Sequence, residues 1–274
     1  MTPQLRDFSG ALVLVGAGKM GGALLEGWLR FGLDPSRIAV LEPQPSPQLS
    51  ALAQRGLRLN PQTRALTDVA AIVIAVKPQT AAEVLPALAP MIGASTVVVS
   101  IMAGRTLRFI AGALGCRCAM VRAMPNTPAA IGRGITVAVP RDANPAQRAL
   151  ADRLLAATGA VEWVEDEALM DAVTAVSGSG PAYVFLLAEA LAEAGVAAGL
   201  PPALAAKLAR ETVAGSGELL HQAHLDAADL RRNVTSPGGT TAAALDVLMG
   251  PDGLAPLMQR AVAAATARSR ALGG

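Results

Sequence analysis

Gly16-Ala17-Gly18-Lys19-Met20-Gly21 follows the apolar run Leu12–Val15 and opens a helical pattern. A strand before and a helix after make this a phosphate-binding turn. Gly16 permits the tight turn, Gly18 lets the backbone approach a pyrophosphate, and Gly21 allows close helix–strand packing. The free N–H groups at the helix start would receive the anion. The turn Gly16–Gly21 is therefore a candidate cofactor contact, against the plainer reading of a glycine-rich turn without a ligand. Glu42 closes the second apolar run, where an acid accepts from adenosine ribose hydroxyls. An acid there favours NADH, since a 2′-phosphate is repelled. Arg55 and Arg64 are near enough in sequence to reach a phosphate, so NADPH stays open.

Three further runs point to the same chemistry. Ala75-Val76-Lys77-Pro78 ends the fourth strand pattern, and ligands in open α/β sheets bind beyond the carboxyl ends of strands. The alternative for Lys77 is a snorkelling surface lysine. Ser100-Ile101-Met102-Ala103-Gly104 would line that edge after the fifth strand, and Arg122-Ala123-Met124-Pro125-Asn126-Thr127-Pro128 after the sixth. Their plain readings are a strand exit and a rigid turn.

The fifth run lies far downstream. Val234-Thr235-Ser236-Pro237-Gly238-Gly239-Thr240-Thr241 precedes the helical stretch Ala242–Met249. Backbone N–H groups at such a turn form an anion nest suited to a carboxylate. One hydroxyl would suffice as an ordinary cap; four hydroxyls and two glycines favour binding. Ser177-Gly178-Ser179-Gly180-Pro181 starts another helix and reads as a cap with Pro in the first turn. His221 and His224 are the only histidines. No acidic or Cys cluster accompanies them, so no metal site is expected, and no nucleophile elbow is present.

Two textures position these residues. The strand candidates are Leu12–Val15, Ile38–Leu41, Leu57–Leu59, Ile72–Val76, Val97–Ile101 and Cys118–Val121. They are short, apolar and separated by helical stretches such as Met20–Phe31. That alternation implies a doubly wound α/β sheet in an N-terminal domain over residues 1–166. Ile135–Val139 and Val161–Val164 read as additional edge strands. Beyond Asp166 the strand signal stops, and residues 167–274 read as an all-α domain. In Pro181–Gly199 the only charges are Glu189 and Glu193, so this helix must be buried, in a core or against another subunit.

The chain has 274 residues, 52% hydrophobic and 3% aromatic, with a net charge of +2. Disorder requires low hydrophobicity and high net charge, so it is excluded. Without a basic block or stacking aromatics, nucleic-acid binding is not expected. Cys116 and Cys118, the only cysteines, stand in a strand pattern too close to pair, which fits a reducing, cytoplasmic compartment. Met1–Gly10 has no apolar signal region. Val84–Gly104 is uncharged and long enough to span a membrane, but its prolines, glycine and hydroxyls divide it into a helix end, a turn and a strand. The protein is read as soluble.

At these residues the chain resembles the pyrroline-5-carboxylate reductase family. Gly16–Gly21, Ala75–Pro78, Met124–Pro128, Ser177–Tyr183 and Thr235–Thr241 occur in family order and spacing. The last run, continuing to Ala244-Leu245-Asp246, is the most specific. The resemblance implies a Rossmann domain, then a helical domain that interleaves with a partner subunit in a homodimer, sometimes assembled further. It implies reduction of a cyclic imino acid, L-1-pyrroline-5-carboxylate, to L-proline by NADPH or NADH. Val15–Met20 and Ala75–Pro78 would bind the cofactor, with Ala103 and Asn126 near its nicotinamide. Ser236 and the N–H groups of Gly239, Thr240 and Thr241 would hold the substrate carboxylate, and the Thr241 hydroxyl, the one catalytic assignment, would bond the ring nitrogen. Such an imine needs neither metal nor nucleophile. The chain departs from the family at Thr63, where some members place a cofactor-contacting Asn, at Ala223-His224, where some have a substrate-side Glu, and at Glu42.

Two other readings compete. A β-hydroxyacid dehydrogenase would use a catalytic lysine on a helix of the second domain, where only Lys207 is available. A nucleotide-sensing protein without turnover would use its apolar helices for association alone.

Overall fold

In a computed structural model, residues 4–273 are described. They divide into two compact units: one runs to Gly178 and takes in the chain again from Thr266, the other spans Ser179–Ala265.

The first unit is built on eight strands: β1 (Ala11–Val15), β2 (Ile38–Leu41), β3 (Arg58–Leu59), β4 (Val69–Ile74), β5 (Val97–Ser100), β6 (Ala119–Met124), β7 (Gly134–Arg141) and β8 (Gly159–Trp163). They lie in the order β3-β2-β1-β4-β5-β6-β7-β8. The first six in sequence are parallel; β7 runs antiparallel to β6, and β8 parallel to β7. The helices of this unit are α1 (Lys19–Arg30), α2 (Pro47–Ala53), α3 (Ala81–Val84), α4 (Leu107–Leu114), α5 (Pro145–Leu155) and α6 (Met170–Val173). Strand β1 shows why the runs are apolar throughout. Leu12 and Leu14 join one core while Ala11, Val13 and Val15 join the other, so both sheet faces are covered. On the first face Trp28 of α1 is fully buried and donates its indole N–H to Leu154 O of α5 at 2.8 Å. Leu5 and Phe8 also enter that core; the first three residues of the Met1–Gly10 segment lie outside the described residues.

Several local expectations change. Met124 pairs with Val137, so Arg122, Ala123 and Met124 belong to β6 rather than to the loop after it. β7 is an interior strand, and the sheet edge is β8 alone on that side. β4 begins at Val69, paired with Ala11, and ends at Ile74. Cys116 and Cys118 precede β6 and are free thiols; Cys118 is buried and its pKa is pushed up to about 11, chiefly by desolvation. Val84–Gly104 does break into a 3-10 helix, a turn and β5. Ser177–Gly178, expected as a turn, instead forms the end of a π-helical stretch, Thr174–Gly178. Thr174 and Ser177 hydroxyls donate to Met170 O and Val173 O at 2.7 and 3.0 Å, tying the stretch back to the turn before it.

The second unit holds α7 (Gly180–Ala197), α8 (Pro202–Gln222), α9 (Ala227–Asn233), α10 (Thr240–Leu248) and the start of α11 (Leu254–Gly273). Helices α7 and α8 form a hairpin turned at Gly199, whose φ is +97°. Small residues let them approach: a Cβ on Gly195 would lie 3.2 Å from the Ala205 Cβ. The apolar surface of α7 is not buried within the chain. Val184, Phe185, Leu186 and Leu187 are exposed, Phe185 at 63% and Leu186 at 62%. The run Glu167–Ala197 is long and apolar enough to cross a membrane by length and composition.

Candidate active site

In the first unit the strand ends align. Val15 pairs with Ile74, Ile74 with Ser100 and Ser100 with Arg122, so the loops after β1, β4 and β5 leave from one edge. Strand order reverses direction between β1 and β4, which is where a dinucleotide binds in such sheets. The glycines fit that use in different ways. Gly16 has φ +90°, its N–H donates to Leu41 O at 2.9 Å, and a Cβ there would lie 2.7 Å from Ala75 O. Around Gly18 a Cβ would meet nothing within 4 Å, an open cradle before the first turn of α1. Gly18 caps α1 without any side-chain hydrogen bond, and no acid stands in that turn. The leading N–H groups are thus available to an anion. Ala17, Gly18, Lys19 and Met20 line a cleft of about 670 Å³ with Ser46 and Thr127. The donor set and the open cradle fit the pyrophosphate of a dinucleotide.

The remaining cofactor candidates are placed as follows. Glu42 follows β2, and its Oε2 accepts from Ala17 N–H at 2.8 Å. Ala75 N–H donates to Val15 O at 2.8 Å, so Ala75 follows the β4 exit directly beside β1. Val76 and Pro78 are half-buried, while Lys77 is exposed and its carbonyl takes the Thr80 N–H and hydroxyl at 3.1 and 3.0 Å. Ala103 is exposed on the loop after β5. Asn126 Oδ1 accepts from Ile135 N–H at 3.0 Å, which ties the loop after β6 to β7. Thr63 opens the 3-10 turn Thr63–Ala65, and no hydrogen bond joins it to the glycine-rich loop.

Three supporting residues escape a reading of the sequence. Asn60 bonds both main-chain groups of Glu42. Arg105 Nε donates to Pro78 O at 3.1 Å and so links the loops after β4 and β5. Glu167 Oε1 accepts both Leu107 N–H, at the start of α4, and Arg122 Nη1, each at 2.8 Å. Asn60-Pro61 carries a turn signal; the other two pairings bridge distant segments and leave no local mark.

In the second unit, Gly239 caps α10 without a side-chain bond and no acid stands in the first turn. None of the nearby hydroxyls is spent on that cap. The Thr235 hydroxyl donates instead to Arg231 O at 2.7 Å, at the end of α9. Gly239 N–H is already donated to Ser236 O at 3.0 Å. Gly239 therefore contributes the turn rather than a free donor, and the donors open at this helix start belong to Thr240, Thr241 and the residue after them. Thr241 is half-buried and Ser236 exposed.

The fold and the first unit's edge define a Rossmann-type nicotinamide oxidoreductase. Residues 11–104 match the family described as NADP oxidoreductase coenzyme F420-dependent, and residues 167–272 match pyrroline-5-carboxylate reductase dimerisation. The pyrroline-5-carboxylate reductase of Synechocystis sp. is 42% identical over 96% of this chain and 98% of its own length. Among solved structures, that of a pyrroline-5-carboxylate reductase from Coxiella burnetii superposes with a TM-score of 0.89, at 33% identity, over 97% of this chain and 99% of its own. Plasmodium falciparum pyrroline carboxylate reductase, solved with NADP bound, gives a TM-score of 0.81 at 29% identity over 97% and 99% of the two chains. The chain belongs to the pyrroline-5-carboxylate reductase family.

Proposed function

We infer that this chain reduces L-1-pyrroline-5-carboxylate to L-proline with NAD(P)H, the last step of proline biosynthesis. The observation that carries this is a likeness to pyrroline-5-carboxylate reductases over nearly the whole length, at 42% identity in the Synechocystis relative. Reduced nicotinamide, when bound, supplies the hydride. Residues 1–166 hold it: the turn Val15–Met20 orients the pyrophosphate, Glu42 the ribose, and Ala75–Pro78, Ala103 and Asn126 line the strand edge, with Thr63 at the periphery. Residues 167–274 hold the substrate. The N–H groups of Thr240 and Thr241, with the Ser236 hydroxyl, take its carboxylate, in a turn shaped by Gly239. The Thr241 hydroxyl bonds the ring nitrogen of the protonated imine and keeps it oriented as C5 accepts hydride and the C=N bond becomes an amine. The protein's share is orientation and electrostatics.

The dimerisation family match and the exposed α7 surface support a homodimer as the basic unit. The apolar helix is read as a subunit interface rather than a membrane span, and the free thiols support a cytoplasmic location. Mixing the purified chain with pyrroline-5-carboxylate and either reduced cofactor tests the reading. Loss of reduced-nicotinamide absorbance with matching proline formation is expected; no loss with either cofactor would refute it.

A further inference from the structure

Glu42 stands at the exit of β2 with both carboxylate oxygens committed. Oε2 accepts from Ala17 N–H at 2.8 Å and Oε1 from Gln44 N–H at 3.0 Å. Its main chain is held as well. Glu42 N–H donates to Asn60 Oδ1 at 2.8 Å, and Glu42 O accepts from Asn60 Nδ2 at 2.9 Å. Asn60 itself follows β3 at φ +48°, a left-handed conformation that Asn tolerates better than most residues, and its N–H donates to Val40 O at 2.8 Å. The Asn60 amide thus fastens the end of β3 to the end of β2 at Glu42. Among the described residues no Lys or Arg pairs with the Glu42 carboxylate.

These bonds decide what the carboxylate can accommodate. A free glutamate swings aside when a phosphate arrives. This one would have to release two backbone N–H groups, one of them in the phosphate-binding turn. Each carboxylate oxygen keeps further acceptor capacity, so a ribose diol, with two O–H donors, is accepted without moving it. A 2′-phosphate is chiefly an acceptor and carries about two negative charges near neutral pH. It would face a fixed negative charge that no ion pair offsets among the described residues. We propose that Glu42, held by Ala17, Gln44 and Asn60, makes this chain select NADH over NADPH, with Asn60 as a positioning residue. The proposal rests on the first unit's being the cofactor-binding unit.

Calorimetric titration of the full-length protein with ADP-ribose and with 2′-phospho-ADP-ribose tests it without turnover. The wild type should bind ADP-ribose at least about tenfold more tightly. Glu42→Gln keeps an acceptor for Ala17 but loses the charge, and should bring the two affinities within about threefold of each other. Asn60→Ala should also narrow the ratio, because the carboxylate is freed to move; a purely structural role would weaken both ligands alike. A wild-type ratio near one, or a ratio unmoved by Glu42→Gln, overturns the proposal and leaves the cofactor site standing. If neither ligand binds the wild type, the cofactor reading falls and the proposal falls with it. Should Asn60→Ala fail to fold, Glu42→Gln decides alone.

Discussion

A Cβ on Gly21 would lie 2.2 Å from the carbonyl oxygen of Gly16, a backbone atom that cannot step aside without moving the loop. Gly18, three residues earlier, has no such neighbour. The two glycines therefore predict different failures. Gly21→Ala should cost about 1–3 kcal/mol of stability through overpacking and weaken cofactor binding with it. Gly18→Ala should leave thermal unfolding nearly unchanged yet weaken cofactor binding, since its methyl enters the cradle. Thermal melts and cofactor titrations on the two variants check this; equal stability loss in both would contradict it.

At α10 the hydroxyls divide their duties. Thr241→Ala should lower turnover roughly ten- to a thousandfold, the scale of one lost transition-state hydrogen bond. Thr235→Ala removes a hydroxyl already bonded to Arg231 O, so its effect should fall on stability rather than on kcat. Steady-state kinetics with pyrroline-5-carboxylate separates them. Unchanged kinetics for Thr241→Ala would remove that residue from the reaction.

The exposed α7 surface predicts dependence on a second copy of the chain. Replacing Phe185 and Leu186 together by Glu should convert the protein to monomers in sedimentation and abolish activity, because both residues are mostly exposed in the single chain. An unchanged sedimenting mass would place the subunit contact elsewhere.

Arg122 is nearly fully buried and meets Glu167 at 2.8 Å. Glu167→Gln leaves that guanidinium without its counter-charge and should destabilise the protein by about 3–5 kcal/mol. Arg122→Met with Glu167→Gln should recover much of the loss. Denaturant unfolding of the single and double variants measures both. A double variant as unstable as the single would show that the ion pair is not the source.

Burial raises the Cys118 thiol above its ordinary value of 9.0 to about 11. The folded state then keeps its proton where the unfolded chain loses it. The contribution to stability is complete below pH 9.0 and declines as pH rises toward about 11. Cys118 should resist alkylation in the folded protein at neutral pH and react after denaturation, as mass spectrometry of the labelled peptides would show.

The sequence already made the strand–turn–helix at Gly16–Gly21 legible, because three glycines in that context answer to steric demands that are local. The sheet's apolar runs were legible for the same reason: burial on both faces removes the alternation that a half-exposed strand would show. What escaped was relational. Arg122 reads as a loop residue until β7 is known to pair along β6 as far as Met124. The clamp of Asn60 on Glu42 joins the ends of two strands eighteen residues apart. The Ser177–Gly178 segment carries turn residues, yet it ends a π-helical stretch in which the Ser177 hydroxyl donates to Val173 O. The Gly239 N–H, a free donor by its sequence position, is donated to Ser236 O in the fold.

The proposed chemistry is direct hydride transfer to the imine carbon of pyrroline-5-carboxylate. It is tested most directly with reduced nicotinamide cofactor dideuterated at C4, followed by mass spectrometry and NMR of the product. L-proline carrying a single deuterium, at C5, is the expected product. Unlabelled proline, or no proline with either NADH or NADPH, would contradict it.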